Sequence, residues 1–282
     1  MTAIAFPARR LVTLAYHDVV FAGRTEDSGF RGPAAAPYKV ERELFLRHLE
    51  AIASRTCRPA TTAEVLTAAA GPDRPLLLTF DDGGTSAMMT AELLEQRGWR
   101  AHFFVPTDLI GTSGFVTRND IAALADRGHI IGSHSCSHPP RMWTMSLEAL
   151  VDEWRRSSDV LGMVVGRPVD VAAVPGGFYS SRVARAASQA GIRVLFTSEP
   201  VRRMASIDDC LVLGRFRMLR TTPADEAAAL STGRSGPAVR QWVEWQLKKA
   251  AKVVVGRAYE RIGAALWARA ERAEAARVTG RS

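Results

Sequence analysis

The sequence predicts an α/β domain in which short buried strands alternate with amphipathic helices, and three observations carry that prediction. Leu76 to Phe80 is a short apolar run introduced by Pro75, apolar on both faces as a parallel sheet covered by helices requires. It closes on two adjacent carboxylates, Asp81 and Asp82, followed by Gly83 and Gly84, and loops leaving the carboxyl ends of strands form the active sites of α/β folds. The length of 282 residues, with 47% apolar and 23% charged composition, suits one barrel-sized domain.

The elements follow in order. Leu11 to Tyr16 reads as a first strand ending in His17-Asp18-Val19. Phe21 to Pro37 is rich in Gly, Ala, Pro and charge without period, which predicts a long surface loop over the mouth of the site. Glu41 to Arg55 places Leu44, Phe45, Leu49 and Ile52 at helical spacing, and Thr61-Thr62-Ala63-Glu64 has the form of a capped helix start. Ser86 to Arg97 supplies a helix stopped by Gly98, and Arg100 to Val105 a strand in which His102 is expected to pack. Asn119 to Arg127 is a short helix leading through Gly128 to the apolar run Ile130-Ile131-Gly132. Ser146 to Leu161 is a longer helix with Ser146 as N-cap, Leu147, Leu150, Val151, Trp154 and Leu161 inward, and its Asp and Arg residues on a solvated face. Val169 to Val174, Val194 to Thr197 and Cys210 to Leu213 are further strands, and Glu199 is expected to be structural.

Chemistry concentrates at two strand ends. His134 and His138 lie four residues apart just after the second apolar run, and two imidazoles with one carboxylate form a three-ligand set for a catalytic zinc ion, leaving a position open for water. One Asp can then bind metal while its neighbour handles the proton. Asp-Asp-Gly-Gly is also good turn chemistry, so the acids alone do not separate the two readings. Only six histidines occur in the chain, and two of them in this pattern favour the metal. The loop Pro175, Gly176, Gly177, Phe178 and Tyr179 follows another strand, and its glycines would let backbone N–H groups approach a ligand as oxyanion donors and groove wall.

These segments together resemble the polysaccharide deacetylase family, the domain shared with nodulation deacetylases. Thr79-Phe80-Asp81-Asp82-Gly83 and His134-Ser135-x-x-His138 resemble its first two motifs, and Val174 to Tyr179 its third. The resemblance spans roughly residues 10 to 220 and implies a distorted (β/α) barrel. It also implies Asp82, His134 and His138 as ligands of Zn²⁺ or a similar divalent ion, and Asp81 as catalytic base. No histidine follows His138, where many relatives carry an acid histidine. Tyr16-His17-Asp18-Val19 resembles the opening segment of a branch acting on biofilm exopolysaccharides, which implies His17 as the general acid in a circularly rearranged order. Relatives often place an arginine two residues before the third-motif proline to hold the base, whereas this chain has Ala173. Arg215 is the candidate to supply that positive charge near Asp81. The implied reaction is hydrolysis of an N-acetyl group on an amino sugar. The alternatives are hydrolysis of a non-sugar amide at the same site and a catalytically silent carbohydrate-binding homologue.

Bulk properties set the surroundings. Cys57, Cys136 and Cys210 are too few and too scattered for a disulfide framework, and Cys136 reads as a small packed side chain rather than a ligand. The opening residues carry no apolar stretch of signal-peptide length, and no run approaches a membrane span, so a cytoplasmic location is expected, with possible membrane association. The catalytic domain is expected over 1–230, and 231–282 is read as a linker and basic amphipathic helical tail. Residues 238 to 282 hold ten Lys or Arg and four Glu, a net of +6 out of the chain's +8. Apolar residues from Val239 to Leu266 recur there at helical spacing, which suits an anionic membrane surface, packing on the barrel, or self-association. Nucleic-acid binding is not indicated, because the positive charge is confined to this tail.

Overall fold

A computed structural model of the chain describes residues 11–55, 58–67, 75–177, 179–247 and 249. Its strands are β1 (Val12–Tyr16), β2 (Asp18–Val20), β3 (Lys39–Glu41), β4 (Leu76–Phe80), β5 (His102–Val105), β6 (Ile130–Ser133), β7 (Val171–Ala173), β8 (Val194–Phe196), β9 (Ala205–Ile207), β10 (Cys210–Leu213) and β11 (Phe216–Arg217). The α-helices are α1 (Arg42–Ala53), α2 (Thr62–Thr67), α3 (Ala87–Glu95), α4 (Arg118–Asp126), α5 (Leu147–Val165), α6 (Ser181–Gln189) and α7 (Ala224–Ser231).

Nine strands form one sheet in the order β11-β1-β4-β5-β6-β7-β8-β10-β9, parallel except for the antiparallel edge strand β9. The pair β2-β3 stands apart as a small parallel ribbon. Chain connectivity dictates the curl of the large sheet. β10 and β11 lie near opposite ends of the strand order, yet only Gly214 and Arg215 join them. Three Cα–Cα steps reach at most about 11 Å, so the two ends must approach each other in a half-barrel. Glycine is needed at this seam, because a Cβ on Gly214 would collide with the carbonyl oxygens of Glu199 and Val201.

Alternation along β4 sorts the core into layers. Leu76, Leu78 and Phe80 pack outward with Phe45, Leu49 and Ile52 of α1, Leu94 of α3 and Leu230 of α7. Leu77 faces the opposite way into an interior cluster with Phe104, Ala173, Phe196 and Leu213, and the two-residue period places Thr79 on that inner face. A third cluster seals the sheet under α5 and α6 with Leu150, Trp154, Val183 and Ala187.

Side-chain caps start three of the seven numbered helices, α2, α4 and α5. Ser146 Oγ accepts the Ala149 N–H at 3.2 Å, and α5 continues past the expected Leu161 to Val165, where Gly166 takes a left-handed conformation at φ 70°. Thr61 and Glu64 exchange the reciprocal bonds of a capping box. Two helices carry no clear sequence signal. α6 presents Val183 with Ala184, Ala186 and Ala187 inward, and α7 is similarly alanine-rich, so their apolar faces are made mostly of alanine.

The chain divides into two compact units, the first ending at Ala238 and the second beginning at Val239. Within the stretch expected as a linker, α7 stops at Ser231 and helix resumes over 235–247. The remainder of the expected tail helix lies outside the described residues. No helix among the described residues is long and apolar enough to cross a membrane.

Candidate active site

Asp81 and Asp82 leave the carboxyl end of β4 in adjacent positions and different surroundings. The Asp81 N–H donates to the Tyr16 carbonyl at 3.0 Å, which continues the β1-β4 ladder, and its side chain is buried. Asp82 then takes a left-handed conformation at φ 73°. Such a backbone is uncommon for a residue with a side chain and persists only where neighbours hold it. It turns the second carboxylate away from the first, toward the end of β6.

His134 and His138 meet it there. Their Nε2 atoms lie 3.3 and 3.4 Å from the same atom, Asp82 Oδ1. One ligand atom from each of the three residues falls within 4.8 Å of the others. His134 Nδ1 is 2.8 Å from the Ala173 carbonyl oxygen, which accepts only if Nδ1 carries the proton. A neutral His134 therefore turns an Nε2 lone pair toward a carboxylate oxygen, two acceptors facing one another. Burial would lower the His134 pKa, but the charges of Asp81 and Asp82 draw it above the ordinary histidine value. A divalent cation between these atoms would remove the conflict, so the donor set fits a metal of the zinc type.

The loop joining the two histidines is held from below by a residue that the sequence did not mark. Glu153 of α5 accepts the N–H groups of Cys136 at 2.8 Å and Ser137 at 3.0 Å, and the Ser137 hydroxyl at 2.7 Å. Ser135 at φ 61° and His138 at φ 52° are left-handed, and Ser135 Oγ accepts the His138 N–H at 3.1 Å. Three of the four non-glycine positive-φ residues among those described thus belong to this centre. Cys136 is buried between the histidines and takes no place in the cluster of possible ligands.

Asp81 faces Arg215. Nη1 donates to Oδ1 at 2.6 Å and Nη2 to Oδ2 at 2.7 Å, a bidentate pair that is almost wholly buried. Arg215 also donates to the Thr79 hydroxyl at 3.1 Å and, through Nε, to the Thr197 carbonyl at 3.0 Å. Its guanidinium carbon lies 5.8 and 6.0 Å from the ring centres of Phe104 and Phe196. The seam of the half-barrel delivers this arginine across to β4. Burial alone would raise the Asp81 carboxyl, but Arg215, with His134 and His17, holds it below the ordinary carboxylate range. Burial opposes ionisation of Asp82 too, and the bonds from His134 and His138 hold it well below its usual value.

His17 follows β1 at the same end of the barrel. Its ring packs on Tyr38 with centroids 4.5 Å apart, and its buried Nδ1 has no hydrogen-bond partner in the structure. In the third-motif loop Pro175 and Gly177 are buried, Gly176 is exposed and Tyr179 is half-buried against the α5-α6 cluster. The Gly177 N–H donates to the Val174 carbonyl at 2.9 Å, so this backbone donor is committed to a turn. Phe178 lies outside the described residues.

The long loop expected over the mouth brings Phe30 onto His138, with ring centroids 4.7 Å apart. Asp18 and Lys39 form a buried ion pair beneath it at 2.7 Å. Asp18 stands in the Tyr16-to-Val19 segment, but neither pairing was visible in the sequence, because both arise from contacts between distant segments.

A curled parallel sheet with a carboxylate–imidazole triad and an arginine-paired acid at its carboxyl ends defines a barrel protein with a candidate metal centre. The family model of the polysaccharide deacetylases matches residues 68–195 of this chain. YxkH of Bacillus subtilis (strain 168) is 24% identical over 193 residues, covering 68% of this chain and 65% of YxkH. An uncharacterized 30.6 kDa protein of Geobacillus stearothermophilus is 28% identical over 128 residues, 44% of this chain and 46% of that protein. The chain therefore spans less than two thirds of either curated relative. Among solved structures, Streptococcus pyogenes deacetylase PplD in complex with acetate superposes with a TM-score of 0.68 at 20% identity, over 80% of this chain and 99% of PplD. IcaB from Ammonifex degensii gives 0.65 at 22% identity, over 79% and 98%. At these identities the structural likeness carries the fold. His17 and Arg215 both lie outside the segment that the family model matches.

Proposed function

We propose that this chain is a metal-dependent hydrolase that removes the acetyl group from an N-acetylated amino sugar in a polysaccharide, an oligosaccharide or a lipid-linked glycan. The observation that carries this reading is the juxtaposition of the Asp82, His134 and His138 cluster with the arginine-paired Asp81. Asp82, His134 and His138 would hold the ion, with Zn²⁺ favoured by two imidazoles and one carboxylate. A bound zinc ion supplies Lewis-acid polarisation of the acetamide carbonyl and makes water more acidic.

The chain's own residues supply the rest. Asp81, kept ionised by Arg215, takes the proton of the attacking water, since each of its oxygens retains a lone pair beyond the arginine bond. Arg215 holds both oxygens and so fixes the plane in which that proton is received. His17 donates a proton to the departing amine as the carbon–nitrogen bond breaks, leaving acetate and a free amino sugar. Pro175, Gly176, Gly177 and Tyr179 would wall the acetyl group. The fold neighbour PplD, described as a deacetylase, was solved with acetate, the product expected here.

The test is acetate release from N-acetylglucosamine oligosaccharides and lipid-linked N-acetyl sugars, before chelation, after chelation, and after Zn²⁺ is restored. Release that disappears with chelation and returns with zinc is expected. Release unchanged by chelation, or none from any N-acetyl sugar, contradicts the reading. The net charge of +6 over 238–282 further suggests a substrate at an anionic surface. Equal co-sedimentation with anionic and neutral vesicles would count against that.

A further inference from the structure

The loop between β2 and β3 is fixed by charges that the proposed chemistry does not use. Asp18 and Lys39 are 1% and 2% exposed, and Lys39 Nζ donates to Asp18 Oδ2 at 2.7 Å and to the Ser28 carbonyl. Asp18 Oδ1 accepts the hydroxyls of Ser28 at 2.5 Å and Ser86 at 2.8 Å. Ser28 Oγ in turn accepts the Ser86 N–H at 2.9 Å. One buried pair therefore joins β2, the loop, β3 and the start of α3, which directly follows the Asp81-Asp82 turn. The packing leaves no room for a side chain beside it: a Cβ on Gly29 or on Gly84 would collide with the Asp18 carboxylate. Buried ion pairs add little net stability compared with apolar residues of the same shape, but removing one partner leaves the other charge buried and uncompensated, which resists any movement that separates them.

What this clamp holds is Phe30. Gly29 donates its N–H to the Gly114 carbonyl at 2.7 Å, which ties the loop to the segment carrying Phe115. The Phe30 ring meets Phe115 edge-on at 5.3 Å and lies 4.7 Å from the ring of His138, tilted by 43°. Phe30 is half-buried, so part of an apolar ring stays open beside a residue of the metal cluster. A pyranose offers an apolar face of C–H groups that packs on such a ring, whereas a small acyclic acetyl compound has no such face.

We propose that Phe30, backed by Phe115 and clamped through Asp18 and Lys39, is the platform for the pyranose ring of the N-acetylated sugar. The assignment makes Phe30 a specificity-determining residue, and it rests on the deacetylase reading above. The test is steady-state kinetics of the zinc-loaded full chain on an N-acetylglucosamine tetramer and on ethyl acetate, an acyclic acetyl ester with no ring to pack. Phe30→Ala is expected to raise KM for the tetramer by about 3- to 10-fold, more than for the acyclic ester, and Phe30→Trp to restore it. Asp18→Asn is expected to move the tetramer KM in the same direction through the loosened loop, and if it does not fold, the Phe30 variants decide alone. A tetramer KM unchanged in Phe30→Ala, or an equal rise for both substrates, overturns the assignment while leaving the deacetylase reading in place. A wild type that hydrolyses no N-acetyl sugar overturns both.

Discussion

The six histidines of this chain fall into two groups that differ in how their ring nitrogens are used. In His48, His102 and His129 both nitrogens are committed inside the protein. His48 meets the Tyr16 hydroxyl and the Thr222 carbonyl, His102 the Leu78 carbonyl and the Thr62 N–H, and His129 the Ala101 N–H and the Glu95 carboxylate. At the carboxyl end of the barrel the pattern changes. His134 anchors one nitrogen on a carbonyl and points the other at Asp82, His138 points Nε2 at the same oxygen, and His17 leaves a buried Nδ1 unpartnered. Satisfied nitrogens mark histidines that hold the fold, and converging or unpartnered ones mark those available for chemistry.

The largest effect should come from exchanging members of the two groups. His134→Gln should remove bound zinc and, with it, acetate release. His129→Gln should keep both and lower stability by roughly 1–3 kcal/mol, through the buried groups left unsatisfied. Metal analysis beside a denaturation curve separates them, and zinc lost from both variants would erase the distinction. Next comes Arg215→Met, which leaves the Asp81 carboxylate buried without its partner and should destabilise the fold by about 3–5 kcal/mol. Burial is then opposed only weakly, so the Asp81 pKa rises and the acid limb of the pH–rate profile should move to higher pH. An unmoved limb would deny Arg215 its role toward the base.

The buried group should show in the pH dependence of stability. Burial holds His102 down to about 4, below its ordinary 6.5, so as pH falls the unfolded chain takes up the proton first. Its contribution is complete above about pH 6.5 and is lost as pH falls toward 4, amounting to about 3 kcal/mol. Denaturant titrations of wild type and His102→Asn across this window should converge toward low pH, and parallel curves would argue against a neutral buried imidazole. Glu153→Gln should weaken zinc affinity about 10-fold in chelator competition, by loosening the loop between the ligands. Cys136→Ala should leave zinc content unchanged, the smallest effect of all, and loss of metal would restore the thiol as a ligand.

Much of this centre was legible in the chain because it is local. The Asp81-Asp82 and His134-to-His138 spacings each lie at one strand end, and apolar runs announced β4 and β6. The Arg215 assignment needed the resemblance, and its reach to Asp81 depends on a two-residue seam that no periodicity reveals. The pairing of Asp18 with Lys39 and the inward role of Glu153 escaped notice for a related reason: Asp18 stood only as a member of the Tyr16-to-Val19 segment, and a charged residue reads as solvated until its distant partner is known. Glu153 sits among Asp and Arg residues of α5 that face water, and only the fold turns it toward the histidine loop. Short strands such as β11 and the alanine-faced α6 lack enough large apolar residues for a pattern to appear.

The most direct test of the central claim compares the two adjacent carboxylates. Zinc content and acetate release should be measured together for Asp81→Asn and Asp82→Asn. With Asp81 as base and Asp82 as ligand, Asp81→Asn keeps its zinc and loses about 100-fold or more in turnover, whereas Asp82→Asn loses zinc and activity together. Zinc lost from Asp81→Asn and kept in Asp82→Asn, or identical behaviour of the two variants, would contradict the division of roles between them.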